Sequence, residues 1–167
     1  QVRHIHACRT GTVGLREMEK LVVQLDFLEF LPTHTCDGND SSPRIRLGNL
    51  ASASLAIMAV NPFIPSCCSC SPWLAWNIPP MEIIPPGLPK EGVVESPVRA
   101  FQGRNDYGRI GYTGPCPPHG STHRYTFKVW GLDTMLDLAP GANKAGLVGA
   151  MRGHVLQYGE TAALCTR

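Results

Sequence analysis

Two side chains suited to acid–base and hydrogen-bond chemistry lie two residues apart near the middle of the chain. His123 carries an imidazole that can be protonated, and Tyr125 carries a hydroxyl that can donate and accept hydrogen bonds. Over residues 124–130 the apolar Tyr125, Phe127 and Val129 alternate with polar residues, which predicts a strand. Because His123 has the same parity as Tyr125, we expect both side chains on one face, about 7 Å apart.

A loop rich in glycine and proline leads into this strand. Five glycines lie within residues 103–120, and Pro115, Pro117 and Pro118 cannot donate to a β-ladder. This composition predicts a shaped loop beside the imidazole and the phenol, and together they could form a pocket. A histidine tucked under a loop, next to a tyrosine of the core, is the alternative that the pattern leaves open.

The elements that position this pair are predicted to be mostly strands. In residues 20–27 apolar and polar side chains alternate, which predicts a half-buried strand. Residues 55–60 and 73–78 have apolar side chains at both odd and even positions, so both faces of these strands should be covered. The segment at 81–99 is rich in proline and is predicted to be an irregular connection. Further short strands are predicted at 155–158 and 162–165.

One helix is predicted near the end of the chain. Asn143 can cap its start, Leu147, Val148 and Met151 form its apolar stripe, and Gly153 can end it. Many strands and one late helix predict an antiparallel β-sandwich with Greek-key connections plus one C-terminal helix.

Length and charge restrict the classes of function. The 167 residues suit a single domain, and the chain carries 15 basic and 13 acidic residues. This near neutrality argues against nucleic acid as the main partner. The 35 residues at 47–81 carry no charge, but prolines interrupt them too often for a membrane-spanning helix.

Seven cysteines, an odd number, occur without a recognisable secretory signal. We therefore expect free thiols and a cytoplasmic location. Cys67 and Cys70 have CxxC spacing, but neither a redox motif nor a zinc site is expected there, because no strand–helix context and no second ligand pair accompany them.

Long motifs in a fixed order carry a family resemblance. Residues 103–127 read GRNDYGRIGYTGPCPPHGSTHRYTF. Before and after them come TCDGNDSSPRI at 35–45, NPFIP at 61–65, PWLAWNIPP at 72–80 and GLDTMLDLAPGANKAGLVGAMRGHVL at 131–156. The chain resembles the phosphatidylethanolamine-binding protein family, in its bacterial and archaeal Raf-kinase-inhibitor-like branch. The resemblance covers residues 18–167, one domain; residues 1–17 match nothing in the family and are expected to be a disordered extension outside the fold.

The resemblance implies a β-sandwich with a surface pocket that binds phosphate or a phosphorylated head group. The pocket positions that keep a family residue are Pro65, Gly114, Pro115, Cys116, His123 and Tyr125. Asn61 and Phe63 stand where the family has aspartates, and Pro72 stands where it has a histidine. We expect the loss of that imidazole donor to weaken phosphate binding, since a charge-assisted hydrogen bond contributes about 1.5 to 3 kcal/mol.

The sequence thus predicts a soluble binding protein for a small anion, with a partly degraded pocket at Asn61, Phe63 and Pro72. The alternative is a protein-interaction role, as an inhibitor of a serine protease or a regulator of a kinase, which the resemblance also implies. No enzyme motif is present, and no metal or cofactor is expected. Cys116 near His123 is the best remaining pair for a nucleophile and a base, but we expect Cys116 to be a structural thiol.

Overall fold

The computed structural model describes residues 18–61 and 70–167. Ten strands and one α-helix form this part of the chain. The elements are β1 (Glu19–Lys20), β2 (Val22–Leu25), β3 (Ile45–Gly48), β4 (Ser54–Asn61), β5 (Cys70–Ile78), β6 (Ile83–Ile84), β7 (Val93–Val94), β8 (Ala100–Gln102), β9 (Thr122–Leu132), α1 (Lys144–Met151) and β10 (Val155–Thr166).

The strands form two sheets. The larger one has seven strands in the order β1-β10-β9-β4-β5-β8-β7, and the smaller one has the order β2-β3-β6. All pairings are antiparallel except that of β1 with β10. The mostly-β fold with two sheets and a late helix confirms the predicted class.

The central strands of the large sheet are covered on both faces, as their sequences predict. On one face Leu55 and Ile57 of β4 pack in the same core as Ile45 of the small sheet. On the other face Met58 packs in a second core with Leu147 of α1. Alternate residues of one strand therefore serve two cores, which is why β4 and β5 show no polar alternation.

The helix begins and ends close to the predicted residues. The Asn143 side chain accepts a hydrogen bond of 3.0 Å from the backbone N–H of Gly146 and caps the first turn. Leu147 and Met151 are buried, whereas Val148 is exposed, so the buried stripe is narrower than predicted. Gly153 has φ of 78° just after the helix, a conformation that favours glycine.

Two strand predictions need correction. The strands predicted at 155–158 and 162–165 are one strand, β10, which continues through Gly159. Glycine is required at that position because a side chain would collide with the carbonyl group of Leu21. The single strand predicted at 20–27 is two strands in the structure. Lys20 of β1 pairs with β10 in the large sheet, and the chain passes to the small sheet at the buried Leu21, so that Val22 begins β2.

The expectation of free thiols is wrong for two cysteines. Cys36 and Cys116 form a disulfide with a Cα–Cα distance of 5.4 Å, across 80 residues of sequence. Cys116 is therefore not the structural thiol that the sequence predicts, and it cannot serve as a nucleophile for His123 while the bond is intact. The disulfide joins the glycine–proline loop to the turn that follows Pro32–His34.

Several sequence predictions fall outside the described part of the chain. They concern residues 1–17 and, within the segment 62–69, Phe63, Pro65 and Cys67. In the ranges 18–61 and 70–167, no helix is long and apolar enough to cross a membrane. No group of three or more His, Cys, Asp or Glu residues in those ranges could hold a metal ion.

Candidate functional site

Four central strands of the large sheet bring polar side chains together at one end. Asn61 is the last residue of β4 and pairs in register with Cys70, the first residue of β5. On β9, His123 lies directly opposite Cys165 of β10, and Tyr125 lies two residues further along. Opposed residues of an antiparallel pair share a face, so the imidazole, the phenol and the Cys165 thiol all face the same side.

Tyr125 is the centre of this arrangement. Its side chain is buried, and its hydroxyl oxygen accepts a hydrogen bond of 3.1 Å from Nδ2 of Asn61. Burial raises the pKa of Tyr125 well above the usual range, and the neighbouring Tyr107 and Cys165 raise it further. The phenol therefore stays protonated at neutral pH and keeps its own proton to donate.

Tyr107 approaches the same place from the glycine–proline loop. Burial raises its pKa to about 12, with a further contribution from Cys70, although 45% of the residue remains exposed. We call the group of side chains gathered around Tyr125 the strand-end cluster. It consists of Asn61, Cys70, Tyr107, His123, Tyr125 and Cys165.

Asn105 fixes the loop that carries Tyr107. Its buried amide nitrogen donates to the carbonyl of Pro72 at 3.1 Å, to that of Gly111 at 3.0 Å and to Oγ1 of Thr113 at 3.0 Å. Its oxygen accepts from the backbone N–H groups of Tyr107 and Arg109. One asparagine thus satisfies five polar groups and determines where Tyr107 lies.

Pro72 takes part in the site through its backbone. It is buried within β5, and besides the Asn105 amide its carbonyl accepts the N–H of Thr113 at 3.0 Å. A proline side chain has no hydrogen-bond donor, so this position holds the loop against the strand but presents no polar group of its own.

The segment Gly114 to Cys116 is tied to the turn at 32–40. The N–H of Gly114 donates to Oδ1 of Asp40 at 2.6 Å, and a side chain at Gly114 would collide with the carbonyl of His34. Pro115 accepts the N–H of Cys36 at 3.2 Å, and Cys116 forms the disulfide with the same residue. The Gly114 N–H is thus engaged by a carboxylate of the chain itself.

One cation near the cluster was missed by the sequence reasoning. Arg167, which directly follows β10, lies two residues from Cys165. Burial raises the pKa of the Cys165 thiol, Asp37 raises it further, and the Arg167 guanidinium lowers it. The guanidinium Nε lies 3.2 Å from Oδ2 of Asp37, and its NH1 group donates to the carbonyl of Pro117 at 3.4 Å. The alternation of β10 could have indicated this placement.

Of the predicted site residues, Asn61 and Tyr125 are in contact, His123 lies on the same face of the sheet as Tyr125, and Cys116 is in a disulfide. Two cavities in the described part of the chain lie elsewhere. One, of about 430 Å³, lies beside Phe27 and His34, and the other, of about 480 Å³, lies between Lys20–Gln24 and Tyr158–Glu160. Neither is lined by His123 or Tyr125.

Comparisons with known proteins agree with the fold and the motifs. The sequence profile of the phosphatidylethanolamine-binding protein family matches residues 24–166. A UPF0098 protein of Pyrococcus abyssi is 47% identical over 158 residues, covering 92% of this chain and 88% of the relative. The UPF0098 protein YbcL of Escherichia coli is 32% identical over 120 residues, which is 70% of this chain and 66% of that protein.

The crystal structure of YbcL, described as a member of the mammalian PEBP family, has a TM-score of 0.77 to this chain at 24% identity. The alignment covers 89% of this chain and 99% of YbcL. A PEBP homologue from Chlamydia trachomatis gives the same values for score, identity and coverage. The likeness to these two structures shows the shared fold.

Proposed function

Because this chain belongs to the phosphatidylethanolamine-binding protein family, we propose that it binds a small anion or a phosphorylated head group at the strand-end cluster. The observation that carries the proposal is the buried Tyr125 hydroxyl, which accepts from Asn61 and therefore directs its own proton elsewhere. A phosphate oxygen beside Tyr125 would accept that proton in a hydrogen bond.

The neighbouring groups suit the same ligand. His123 lies on the same face of the sheet, and its imidazole can donate an N–H to the same ligand. The guanidinium of Arg167 lies on this side of the sheet, but its ion pair with Asp37 leaves the two groups together without net charge. Binding by these donors involves no chemical step, so the proposal is for a binding protein and not for an enzyme.

Two features of the site make the proposed affinity for phosphate modest. Pro72 presents no side-chain donor, and the Nδ2 group of Asn61 is engaged with Tyr125. Each charge-assisted hydrogen bond that is not made lowers the binding free energy by about 1.5 to 3 kcal/mol. We therefore propose weaker phosphate binding than in a family member that has a histidine at the position of Pro72.

The test is a titration with inorganic phosphate and with phosphoethanolamine, followed by NMR of the His123 ring. Tyr125→Phe removes the central hydroxyl and keeps the ring. Tyr158→Phe is the matched control, because Tyr158 lies on the opposite face of β10 and its hydroxyl contacts Glu160. We expect saturable shifts of the His123 resonances, with affinity at least about tenfold lower in Tyr125→Phe and unchanged in Tyr158→Phe.

If the wild-type chain shows no saturable shift at His123 with either ligand, the proposal is wrong. Equal affinity in Tyr125→Phe and the wild type would also reject it, because the hydroxyl would then make no contact with the anion. Comparing the two ligands separates recognition of the phosphate group, common to both, from recognition of the ethanolamine.

A protein-interaction role is the second candidate, and one surface feature favours it. Leu28 is 84% exposed and Leu164 is 42% exposed, and the two are joined by a hydrogen bond of 2.9 Å between their backbones. Leu31, 52% exposed, adds a third uncovered apolar side chain close by in sequence. We propose an apolar recess of a protease or kinase as the partner for this patch.

Inhibition assays on a panel of serine proteases and kinases test this second candidate. Each enzyme is assayed with the wild-type chain and with a Leu28→Ser, Leu164→Ser double variant. Inhibition that is lost in the double variant and kept in Tyr125→Phe would support it. Inhibition that survives the double substitution, or an absence of inhibition throughout the panel, would reject it.

A further inference from the structure

The cavity of about 430 Å³ beside Phe27 has the composition of a ligand site and is separate from the strand-end cluster. Its volume lies in the range of about 300 to 1,000 Å³ that is usual for small-molecule sites. Phe27, Leu31 and Pro86 give it apolar walls, and Asp26, His34 and Arg44 give it polar ones. A ligand that fits must therefore combine an apolar body with a polar group.

The apolar wall is flat and held in place. The Phe27 and His34 rings stack with centroids 5.3 Å apart and an interplanar angle of 21°, and Phe30 packs against Phe27 at 5.0 Å. The Nδ1 atom of His34 lies 2.8 Å from the carbonyl of Ser41, so it carries a proton towards that oxygen and the ring cannot turn freely. Stacked rings held in this way favour a planar aromatic ligand.

Asp26 and Arg44 line the cavity with opposite charges, and Arg46, which lies beside Asp26 outside the lining, makes the sum of the three charges positive. Two guanidinium groups share the single carboxylate of Asp26: Nε of Arg46 is 2.8 Å from Oδ1, and Nε of Arg44 is 3.4 Å from Oδ2. The Arg46 hydrogen bond is the largest influence on the pKa of Asp26, which it lowers. Arg46 is thus the main partner of Asp26, and Arg44 is the arginine that lines the cavity with donors to spare.

We propose that this cavity binds a small planar aromatic carboxylate, with its ring against Phe27 and Pro86 and its carboxylate on Arg44. A guanidinium presents parallel donors that match the two oxygens of a carboxylate. Inorganic phosphate alone would leave the apolar wall exposed to water, so a free oxyanion is a poor occupant. The proposal does not depend on the anion site at Tyr125.

The experiment uses 2-naphthoate as the probe, measured by calorimetry and by NMR of the Phe27 and His34 rings. Arg44→Gln removes the proposed partner of the carboxylate, and Arg44→Lys restores the charge without the parallel donors. Arg152→Gln is the matched control, since it removes the same charge at an exposed arginine that does not line the cavity. The neutral amide, 2-naphthamide, tests the need for charge on the ligand.

We expect saturable binding of 2-naphthoate that is weakened at least about tenfold by Arg44→Gln, less by Arg44→Lys, and within about threefold of wild type in Arg152→Gln. Tyr125→Phe should leave it unchanged. The absence of saturable binding, equal losses in Arg44→Gln and Arg152→Gln, or equal binding of 2-naphthamide would overturn the proposal.

Discussion

The hydroxyl oxygen of Tyr125 accepts a hydrogen bond of 3.1 Å from the side-chain amide nitrogen of Asn61, at a point where both residues are buried. The contact joins the end of β4 to the start of β9. Its direction matters, because an amide N–H uses a lone pair of the phenol and leaves the phenol proton to be donated. A carboxylate at position 61 would instead be an acceptor, and it would take that proton.

Asn61→Asp should therefore weaken phosphate binding at the strand-end cluster. The new carboxylate would accept the Tyr125 proton and would also repel an anion in a poorly solvated place, so we expect at least about a tenfold loss of affinity. NMR titration of His123 with phosphate measures it. Asn39→Asp, which adds the same charge at an exposed residue, is the control, and tighter binding in Asn61→Asp would contradict the argument.

The disulfide between Cys36 and Cys116 should be a major source of stability. It closes a loop with a sequence separation of 80 residues, for which the chain-entropy model gives about 4.5 kcal/mol. In a Cys36→Ser, Cys116→Ser double variant we expect the free energy of unfolding, measured with urea, to be about 2 to 5 kcal/mol lower than in the wild type. A reductant should lower the stability of the wild type by a similar amount and leave the variant unchanged. A reductant effect of equal size in both proteins would contradict this.

The sequence predicts the strands and the helix because their patterns are local. The alternation around Tyr125 and Phe127, the two-sided apolar run of β4 and the cap at Asn143 each need only a few neighbouring residues. In contrast, the break predicted between residues 158 and 162 is absent, since β10 runs through Gly159. Only the approach of the Leu21 backbone, between β1 and β2, explains why glycine is needed there.

The candidate site was predictable in part for the same reason. His123 and Tyr125 share a strand, so their common face follows from parity alone. The Cys36–Cys116 pairing does not follow, because seven cysteines allow many pairings and only the fold selects two residues so far apart. The engagement of the Gly114 N–H by Asp40 and the cavity beside Phe27 also depend on long-range packing that no motif encodes.

The carboxylate of Asp26 should titrate below its ordinary pKa of 3.8. The hydrogen bond from Arg46 is the largest cause, and the charges of Arg46 and Arg44 add to it. Because the folded pKa is below the unfolded one, this carboxylate stabilises the fold above the unfolded pKa, and the effect is lost as the pH falls through the folded value. NMR of the Asp26 side-chain carbon measures the shift. Arg46→Gln should raise the pKa more than Arg44→Gln, and the reverse order would contradict the assignment of the main partner.

Asn105→Ala should both destabilise the fold and displace Tyr107. The substitution leaves the carbonyls of Pro72 and Gly111, the hydroxyl of Thr113 and the N–H groups of Tyr107 and Arg109 without this partner. Some of these groups can reach water once the loop relaxes. We therefore expect the free energy of unfolding, measured with urea, to fall by about 2 to 4 kcal/mol.

Asn39→Ala is the matched control, because Asn39 is exposed and its amide donates a hydrogen bond of 3.4 Å to the Thr33 hydroxyl. This substitution should change the free energy of unfolding by no more than about 0.5 kcal/mol. The loop displacement has its own measurement. Burial raises the pKa of Tyr107 to about 12, so in the folded Asn105→Ala variant its phenolate absorbance should appear at a lower pH. A Tyr107 titration that stays unchanged in a destabilised Asn105→Ala protein would show that the loop holds its position without Asn105, and that the asparagine contributes stability alone.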